Sequence, residues 1–257
     1  MDIIARSFLQ KSMFIFNIFV ISFFGLAIGS FITAIAVRIS NEEKVFVKRS
    51  KCDTCNNVIP YFYLIPIFGY FLCNGKCKFC KQKVSIQYTL WEAFHAMLYI
   101  IIYILAKQNI FLFLPFALLT SVLLMIAIID IKTQYVYDFH IVILAFCILY
   151  VLYYTQNLHI SYKSFIVAGI PLVFKYFYEF IRFKLSGEKM EVIGMGDIKI
   201  FIILFFFLDF YILLQILTLS GLLGAGYGLI LRKTNSHYAF MPAISLSLYF
   251  VLIYNFL

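Results

Sequence analysis

Charged residues are scarce in this sequence. Asp, Glu, Lys and Arg together make up 13% of its 257 residues, whereas 64% are hydrophobic. Soluble domains average about 25% charged and about 45–50% apolar residues. The composition therefore excludes a water-soluble globule, a disordered protein and a nucleic-acid-binding domain of ordinary type. Cysteine is also scarce, with six residues, which excludes a disulfide-rich secreted scaffold. An integral membrane protein remains.

Long apolar runs predict an all-α polytopic membrane protein with about eight transmembrane helices. One span needs about 20 mainly apolar residues to cross roughly 30 Å of hydrocarbon. The stretch 198–231 is too long for one straight span, and Asp209 near its middle predicts that it forms two. The other runs cover residues 14–37, 89–106, 111–129, 139–154, 164–180 and 238–256.

A polar stretch after the first span divides the chain into three predicted parts. They are a first transmembrane segment (1–37), a cytoplasmic domain (38–88) and a larger transmembrane domain (89–257). Lys and Arg are enriched in the cytoplasmic loops of membrane proteins. With the polar stretch inside, segments on that side hold 17 of the 21 Lys and Arg residues. We therefore expect a multi-pass protein of the cytoplasmic membrane with both termini outside.

Two CxxC pairs lie in the polar stretch, Cys52 with Cys55 and Cys77 with Cys80. Two such pairs converge on one tetrahedral ion in zinc ribbons, and thiolates suit Zn²⁺. Four protein ligands leave no position for water, so the ion would be structural. A reducing cytoplasm disfavours disulfides. The alternatives are four unpaired thiols or two disulfides.

Acidic residues at the ends of predicted spans are the candidate catalytic groups, because a carboxylate near hydrocarbon is costly. Asp130 ends the third span and Asp197 opens the sixth, both at the predicted cytoplasmic boundary. Two close carboxylates share a proton, so one can activate water while the other protonates a scissile carbonyl. The alternative for Asp197 is a helix N-cap, which is the favoured interpretation of Asp138.

These motifs together resemble the type IV prepilin peptidases, the membrane aspartyl proteases with a GxGD motif. Gly194-Met-Gly196-Asp197-Ile-Lys199 looks like the family's GxGDxK signature. Asp130, followed eight residues later by Asp138, is similar to the family's first aspartate segment. The resemblance implies that Asp130 and Asp197 are catalytic, with Asp138, Gly194, Gly196 and Lys199 as accessory residues.

The amino-terminal third also resembles this family. Gly29-Ser30-Phe31 looks like its GSF segment, the CxxC pairs look like its zinc-binding domain, and Glu92 matches a glutamate that follows that domain. Glu92 is either an accessory residue of methyl transfer or a membrane-edge carboxylate paired with a Lys. No GxGxxG loop is present, so no cofactor-binding residue is predicted.

The resemblance also implies a function. Members cleave the short basic leader of type IV prepilins or pseudopilins at the cytoplasmic face of a bacterial membrane. Many then methylate the new amino terminus with S-adenosylmethionine. The expected partners are therefore pilin-like precursors, including competence pseudopilins, and the lipid bilayer, with no nucleic acid.

One alternative from a different class stays open. A non-enzymatic, zinc-containing assembly factor for a secretion, pilus or DNA-uptake machine would keep the CxxC pairs. It would not need two carboxylates on separate helices at one membrane face.

Overall fold

A computed structural model describes residues 2–45, 49–52, 54–158, 169–186, 194–231 and 239–257. Helices dominate these ranges, and no β-strand is formed within them. The predicted all-α class is therefore confirmed. The helices are α1 (Asp2–Ser40), α2 (Phe68–Leu72), α3 (Gln87–Leu105), α4 (Ile110–Thr133), α5 (Asp138–Tyr154), α6 (Ile170–Ser186), α7 (Met195–Phe207), α8 (Phe210–Leu231) and α9 (Met241–Phe256), with a 3-10 helix at Tyr61–Leu64.

Four of the described helices are long and apolar enough to cross a membrane: α1, α3, α4 and α8. Two more apolar helices, α5 and α9, are shorter. The predicted count of eight spans is therefore not confirmed. The stretch 198–231 is divided near Asp209, because α7 ends at Phe207 and α8 begins at Phe210, but of these two helices only α8 is long enough to be a span. The first part of the predicted fifth span, and the predicted inside residues Arg232 and Lys233, lie outside the described residues.

The chain forms two compact units, 1–113 and 114–257. In the first unit, α1 and α3 pack through glycines on α1. A Cβ at Gly25 would lie 2.8 Å from the Ala96 Cα, and one at Gly29 would lie 2.9 Å from the His95 Cβ. Small residues allow the close backbone approach that membrane helices use in place of a hydrophobic driving force. The buried His95 ring adds a polar contact, with Nδ1 2.8 Å from the Gly25 carbonyl oxygen.

The second unit contains the rest of α4 and helices α5 to α9. In it, α7 packs against α5 and α6, and α8 packs against α9. Its fully buried side chains are mainly branched aliphatics, among them Leu144, Ile148, Leu204, Ile216, Ile244 and Leu248. Some interior polar groups are satisfied locally or across helices, whereas His140 Nε2 and Ser245 Oγ are buried without a hydrogen-bond partner among the described residues. The Thr120 hydroxyl donates to the Phe116 carbonyl oxygen, and the Asn255 amide donates to Gln215 Oε1 at 2.9 Å.

Candidate active site and metal centre

Asp130 lies in the last turn of α4 and is buried, with 5% of its surface exposed. Its Oδ2 accepts a hydrogen bond from the Met241 backbone N–H at 3.0 Å. Met241 is the first residue of α9, and the preceding N-cap residue, Phe240, makes no side-chain cap. The first N–H groups of a helix lack intrahelical partners and carry partial positive charge. Asp130 therefore caps α9 from another helix.

Asp197 is the third residue of α7 and is half-buried. The N-cap of α7 is Gly194, so the N-cap alternative for Asp197 is wrong. Gly196 lies against the α4–α5 connection, because a Cβ at this position would be 2.9 Å from the Val136 Cβ. The missing side chain at Gly196 thus lets the start of α7 approach the segment that follows Asp130.

The two aspartates, which belong to different helices, lie close enough in the second unit for their charges to interact. Each reaches this position through a contact distant in sequence, Asp130 with the Met241 N–H and Asp197 through the packing of Gly196 on Val136. Two carboxylates whose charges repel each other do not ionise together easily. Such a pair can supply one general base and one general acid at the same time.

Asp138 and Lys199 form an ion pair that joins α5 to α7. Both side chains are largely exposed. The N-cap of α5 is Tyr137, and Asp138 is the first helical residue. The N-cap prediction for Asp138 is therefore wrong by one position. Its carboxylate still lies in the first turn, where the helix dipole favours a negative charge, and it holds the lysine that follows Asp197.

The four cysteines of the two CxxC pairs converge. The Sγ atoms of Cys52 and Cys80 are 3.8 Å apart, those of Cys55 and Cys77 are 3.9 Å apart, and all four lie within 4.8 Å of one another. A tetrahedral ion with Zn–S bonds of about 2.3 Å needs S···S separations of about 3.8 Å. The cluster therefore has the size and donor set to hold a metal ion, consistent with zinc.

Each CxxC pair forms the same backbone turn. Directly after the second cysteine comes a residue with positive φ, Asn56 at 56° and Lys81 at 61°. Antiparallel bridges then close the two turns, Lys51 with Val58 and Lys76 with Lys83. The N–H of this left-handed residue donates to the carbonyl oxygen of the first cysteine, at 2.9 Å in the first pair and 3.0 Å in the second.

Backbone donors make the first cysteine of each pair a better metal ligand. The N–H groups of Cys80 and Phe79 lower the pKa of the Cys77 thiol to about 6. The Cys55 and Thr54 N–H groups likewise lower the pKa of Cys52. At Cys80 the Gln82 N–H acts in the same direction, but desolvation and the neighbouring thiols outweigh it and raise the pKa to about 11. Four adjacent thiols cannot all ionise unaided, whereas a divalent cation removes this repulsion.

Glu92 lies in the second turn of α3 and anchors the loop between the two CxxC pairs. Its Oε2 accepts the Ile67 backbone N–H at 2.8 Å. Ile67 has φ 61° and ψ −57°, and the Phe68 N–H reaches the Pro66 carbonyl oxygen at 2.6 Å. This is a γ-turn, which is strained and unusual for a β-branched residue. The observed partner of Glu92 is therefore a strained backbone amide, where the sequence had suggested a Lys.

Sequence reasoning missed three of the groups that position these side chains: Met241, Val136 and Ile67. Pro242, the second residue of α9, was a usable signal for the first, since proline is tolerated in the first turn of a helix, where the N–H groups lack intrahelical partners. For Val136 and Ile67 the sequence holds no comparable signal, because an apolar residue in a loop does not reveal what it contacts.

The class of protein follows from the chemistry of this site. A membrane-embedded chain that places two carboxylates on different helices, within reach of each other's charge, has the arrangement of an aspartic peptidase. Comparison with known proteins agrees. Residues 23–106 match the Bacterial Peptidase A24 N-terminal domain, and residues 117–229 match the Type IV leader peptidase family. The chain belongs to the type IV leader peptidases, the prepilin peptidase family.

Curated relatives carry the corresponding names. The chain is 28% identical to a prepilin leader peptidase/N-methyltransferase of Vibrio cholerae, over 70% of this chain and 73% of the relative. It is 28% identical to one of Bacillus subtilis, over 80% and 79%. A type 4 prepilin-like proteins leader peptide-processing enzyme of Escherichia coli is 22% identical over 86% and 88%. No solved structure matches the chain.

Proposed function

We propose that this chain is a membrane endopeptidase that removes leader peptides from type IV prepilins or prepilin-like proteins, with Asp130 and Asp197 as its catalytic pair. One observation carries the proposal. The two carboxylates that interact electrostatically both lie within the segment that matches the Type IV leader peptidase family. The non-enzymatic assembly factor is not favoured, since it has no use for such a pair.

The hydrogen bond at Asp130 supports a division of roles within the proposed pair. The Met241 N–H stabilises a negative charge on Asp130, so the shared proton resides on Asp197. Asp130 accepts a proton from water as the water oxygen attacks the scissile carbonyl carbon, and Asp197 gives its proton to the carbonyl oxygen. When the tetrahedral intermediate collapses, the C–N bond breaks and Asp130 returns its proton to the leaving amine. Asp197 recovers its proton from the hydroxyl that becomes the new carbonyl.

The substrate class follows from the family. The resemblance implies a bond between a short basic leader and an apolar helix, usually after Gly and before Phe or a similar residue. The apolar helix would lie in the bilayer and the basic leader near anionic headgroups, so the bond falls at the membrane boundary. The strong Lys and Arg bias supports a bacterial cytoplasmic-membrane location with the cleavage site on the cytoplasmic side.

The proposal assigns Zn²⁺ to Cys52, Cys55, Cys77 and Cys80. With all four positions filled by thiolates, the ion would cross-link the loop between α1 and α3 and take no part in proteolysis. Methyl transfer from S-adenosylmethionine to the new amino terminus is the second proposed activity. Its support is the name shared by the curated relatives, which includes N-methyltransferase.

Precursor cleavage in membranes tests the catalytic pair. Asp130→Asn and Asp197→Asn keep the side-chain shape but can neither accept a proton as a base nor donate one as an acid. We expect each to abolish processing at matched expression and insertion. Asp209→Asn is the matched control, because Asp209 is exposed at the break between α7 and α8. Cleavage by either catalytic variant at the wild-type rate would refute the assignment.

The same membranes test methyl transfer. Mass spectrometry of the mature product, with and without added S-adenosylmethionine, should show a population that is one methyl group heavier only when the donor is present. A product of unmodified mass in both reactions would restrict the chain to peptidase activity.

A further inference from the structure

The loop between the two CxxC pairs exposes an apolar surface that the metal cluster does not explain. Residues 61–72, which comprise the 3-10 helix and α2, are rich in large apolar side chains that remain exposed: Tyr61, Phe62, Ile65, Phe68, Phe71 and Leu72. Phe62 is 75% exposed. A loop domain surrounded by water rarely keeps so many adjacent aromatic and aliphatic side chains on its surface.

The structure fixes this segment at a definite level along α3. The Ile67 N–H donates to Glu92, which is the sixth residue of α3. Glu92 therefore lies about 7.5 Å along the axis from the helix start. The 19 residues of α3 span about 28 Å, which is close to the thickness of the hydrocarbon core. The backbone at Ile67 is thus held beside the second turn of a helix that is long and apolar enough to cross a membrane.

Basic residues flank the same segment in the sequence. Residues 38–87 contain nine Lys and Arg against three acidic residues, and six of the lysines are exposed: Lys44, Lys51, Lys76, Lys78, Lys81 and Lys83. Two cations lie directly over its rings. The Arg49 guanidinium is 4.3 Å from the Tyr61 ring centroid, and the Lys78 ammonium is 5.7 Å from that of Tyr63. Aromatic rings at headgroup level with cations above them are typical of membrane-interface anchors.

We propose that the 61–72 segment lies in the bilayer interface, with Phe68, Phe71 and Leu72 at the edge of the acyl chains and the flanking lysines among anionic headgroups. Burial of the apolar side chains in lipid and attraction of the lysines to anionic lipid together stabilise this placement. Glu92 holds the Ile67 turn at the required depth. The metal cluster is thereby fastened to the membrane surface at a second place, besides its covalent links to α1 and α3.

Depth-dependent fluorescence quenching tests this placement on the full chain. Trp91 is the single tryptophan, so Trp91→Phe gives a silent background for Phe71→Trp. The protein is reconstituted in nanodiscs of phosphatidylcholine and phosphatidylglycerol. We expect blue-shifted emission, loss of intensity when the lipids carry bromine near the headgroup end of the acyl chains, and protection from aqueous iodide. Replacing phosphatidylglycerol with phosphatidylcholine should weaken the quenching by lipid.

A tryptophan in the cysteine cluster provides the matched control. Phe79 is an exposed aromatic between Cys77 and Cys80, and Phe79→Trp in the same background should be quenched by iodide more than by brominated lipid. Zinc content equal to that of the wild-type protein verifies that each variant is folded. Phe62→Trp is the second probe of the segment if Phe71→Trp fails this check.

Three outcomes would overturn the proposal. The first is a tryptophan at position 71 that iodide quenches and brominated lipid does not. The second is equal quenching by lipid at positions 71 and 79, which would mean that the whole domain lies on lipid without a specific anchor. The third is protection that appears only after a prepilin precursor is added, which would make the segment a substrate-docking surface. The first two outcomes are measured without substrate, so they do not depend on peptidase activity.

Discussion

Adding one methyl group at Gly196 is the sharpest perturbation that the site offers. A Cβ at Gly196 would lie 2.9 Å from the Val136 Cβ and 3.1 Å from its Cγ2. Val136 is buried, with 7% of its surface exposed, so it cannot turn away into solvent. Gly196→Ala must therefore push the start of α7, which carries Asp197, away from the connection that follows Asp130.

The contact distances set the size of the effect. Carbon atoms pack at roughly 3.5–4.0 Å, so the two segments must separate by about 0.6–1.1 Å. Overpacking of this kind costs about 1–3 kcal/mol. A catalytic group misplaced by about 1 Å loses on the order of 100-fold in rate. We therefore expect Gly196→Ala to remain folded and membrane-inserted while it cleaves precursor about 100-fold more slowly.

The assay is the initial rate of precursor cleavage in membranes with matched amounts of each variant. Gly194→Ala is the control in the same motif, because its Cβ would meet only Asp197 Oδ2 at an ordinary 3.4 Å. It should keep most of its activity. Val136→Gly in the Gly196→Ala background removes the opposing atoms and should restore part of the rate.

Two results would refute this reasoning. If Gly196→Ala cleaves at the wild-type rate, the contact with Val136 does not position the catalytic pair. If Gly194→Ala is impaired as strongly as Gly196→Ala, the glycines act through a property that they share, such as backbone contact with substrate, and not through packing on Val136.

Substitutions at three further places test the supporting contacts. Glu92→Ala should destabilise the docked loop by about 1.5–3 kcal/mol, because it removes a hydrogen bond to a charged group, and Glu92→Gln should cost less. The rate of trypsin cleavage between α1 and α3 measures both effects. Equal rates for the two variants would contradict the role of the carboxylate. Cys80→Ser should lower the zinc content below one ion per chain, as measured by atomic emission after mild chelation, while Cys73→Ser, outside the cluster, should not. The exposed ion pair of Asp138 and Lys199 should stabilise the position of α7 by only about 0–1 kcal/mol. Asp138→Asn should therefore slow cleavage by no more than a few-fold. Adding Lys199→Met should cause little further loss of cleavage rate in a double-mutant cycle.

Several properties could be predicted from the sequence because they depend on composition or on short-range spacing. The apolar content requires a membrane environment. In lipid, helices are the main way for a chain to satisfy the hydrogen bonds of its backbone, so the helical class follows as well. Two CxxC pairs can place four thiols on one ion because each pair needs only a local turn. The break near Asp209 also follows from local chemistry, because a carboxylate is unfavourable in the middle of a span.

Other expectations failed where the local pattern was ambiguous. Asp138 and Asp197 were both N-cap candidates, yet the caps are Tyr137 and Gly194. Acidic residues are favoured both at the cap and throughout the first helical turn, so residue type alone cannot assign the position. The predicted count of eight spans was also based on a pattern that is ambiguous. Hydropathy marks an apolar run, but α7 has only 13 residues, which is about 20 Å and shorter than the hydrocarbon core.

The sequence by itself indicated that this is a membrane protein, that four of its cysteines could share one metal ion, and which two aspartates are the catalytic candidates. Each of these depends on residue type and local order. The tertiary structure decided what holds those groups in place: the Met241 amide on Asp130, Val136 against Gly196, and the Ile67 amide on Glu92. The partners in these three contacts lie 111, 60 and 25 residues apart in the sequence. They meet only when the helices pack. A backbone N–H or a missing side chain has no sequence signal for its partner, because the partner is decided by which helix packs beside it.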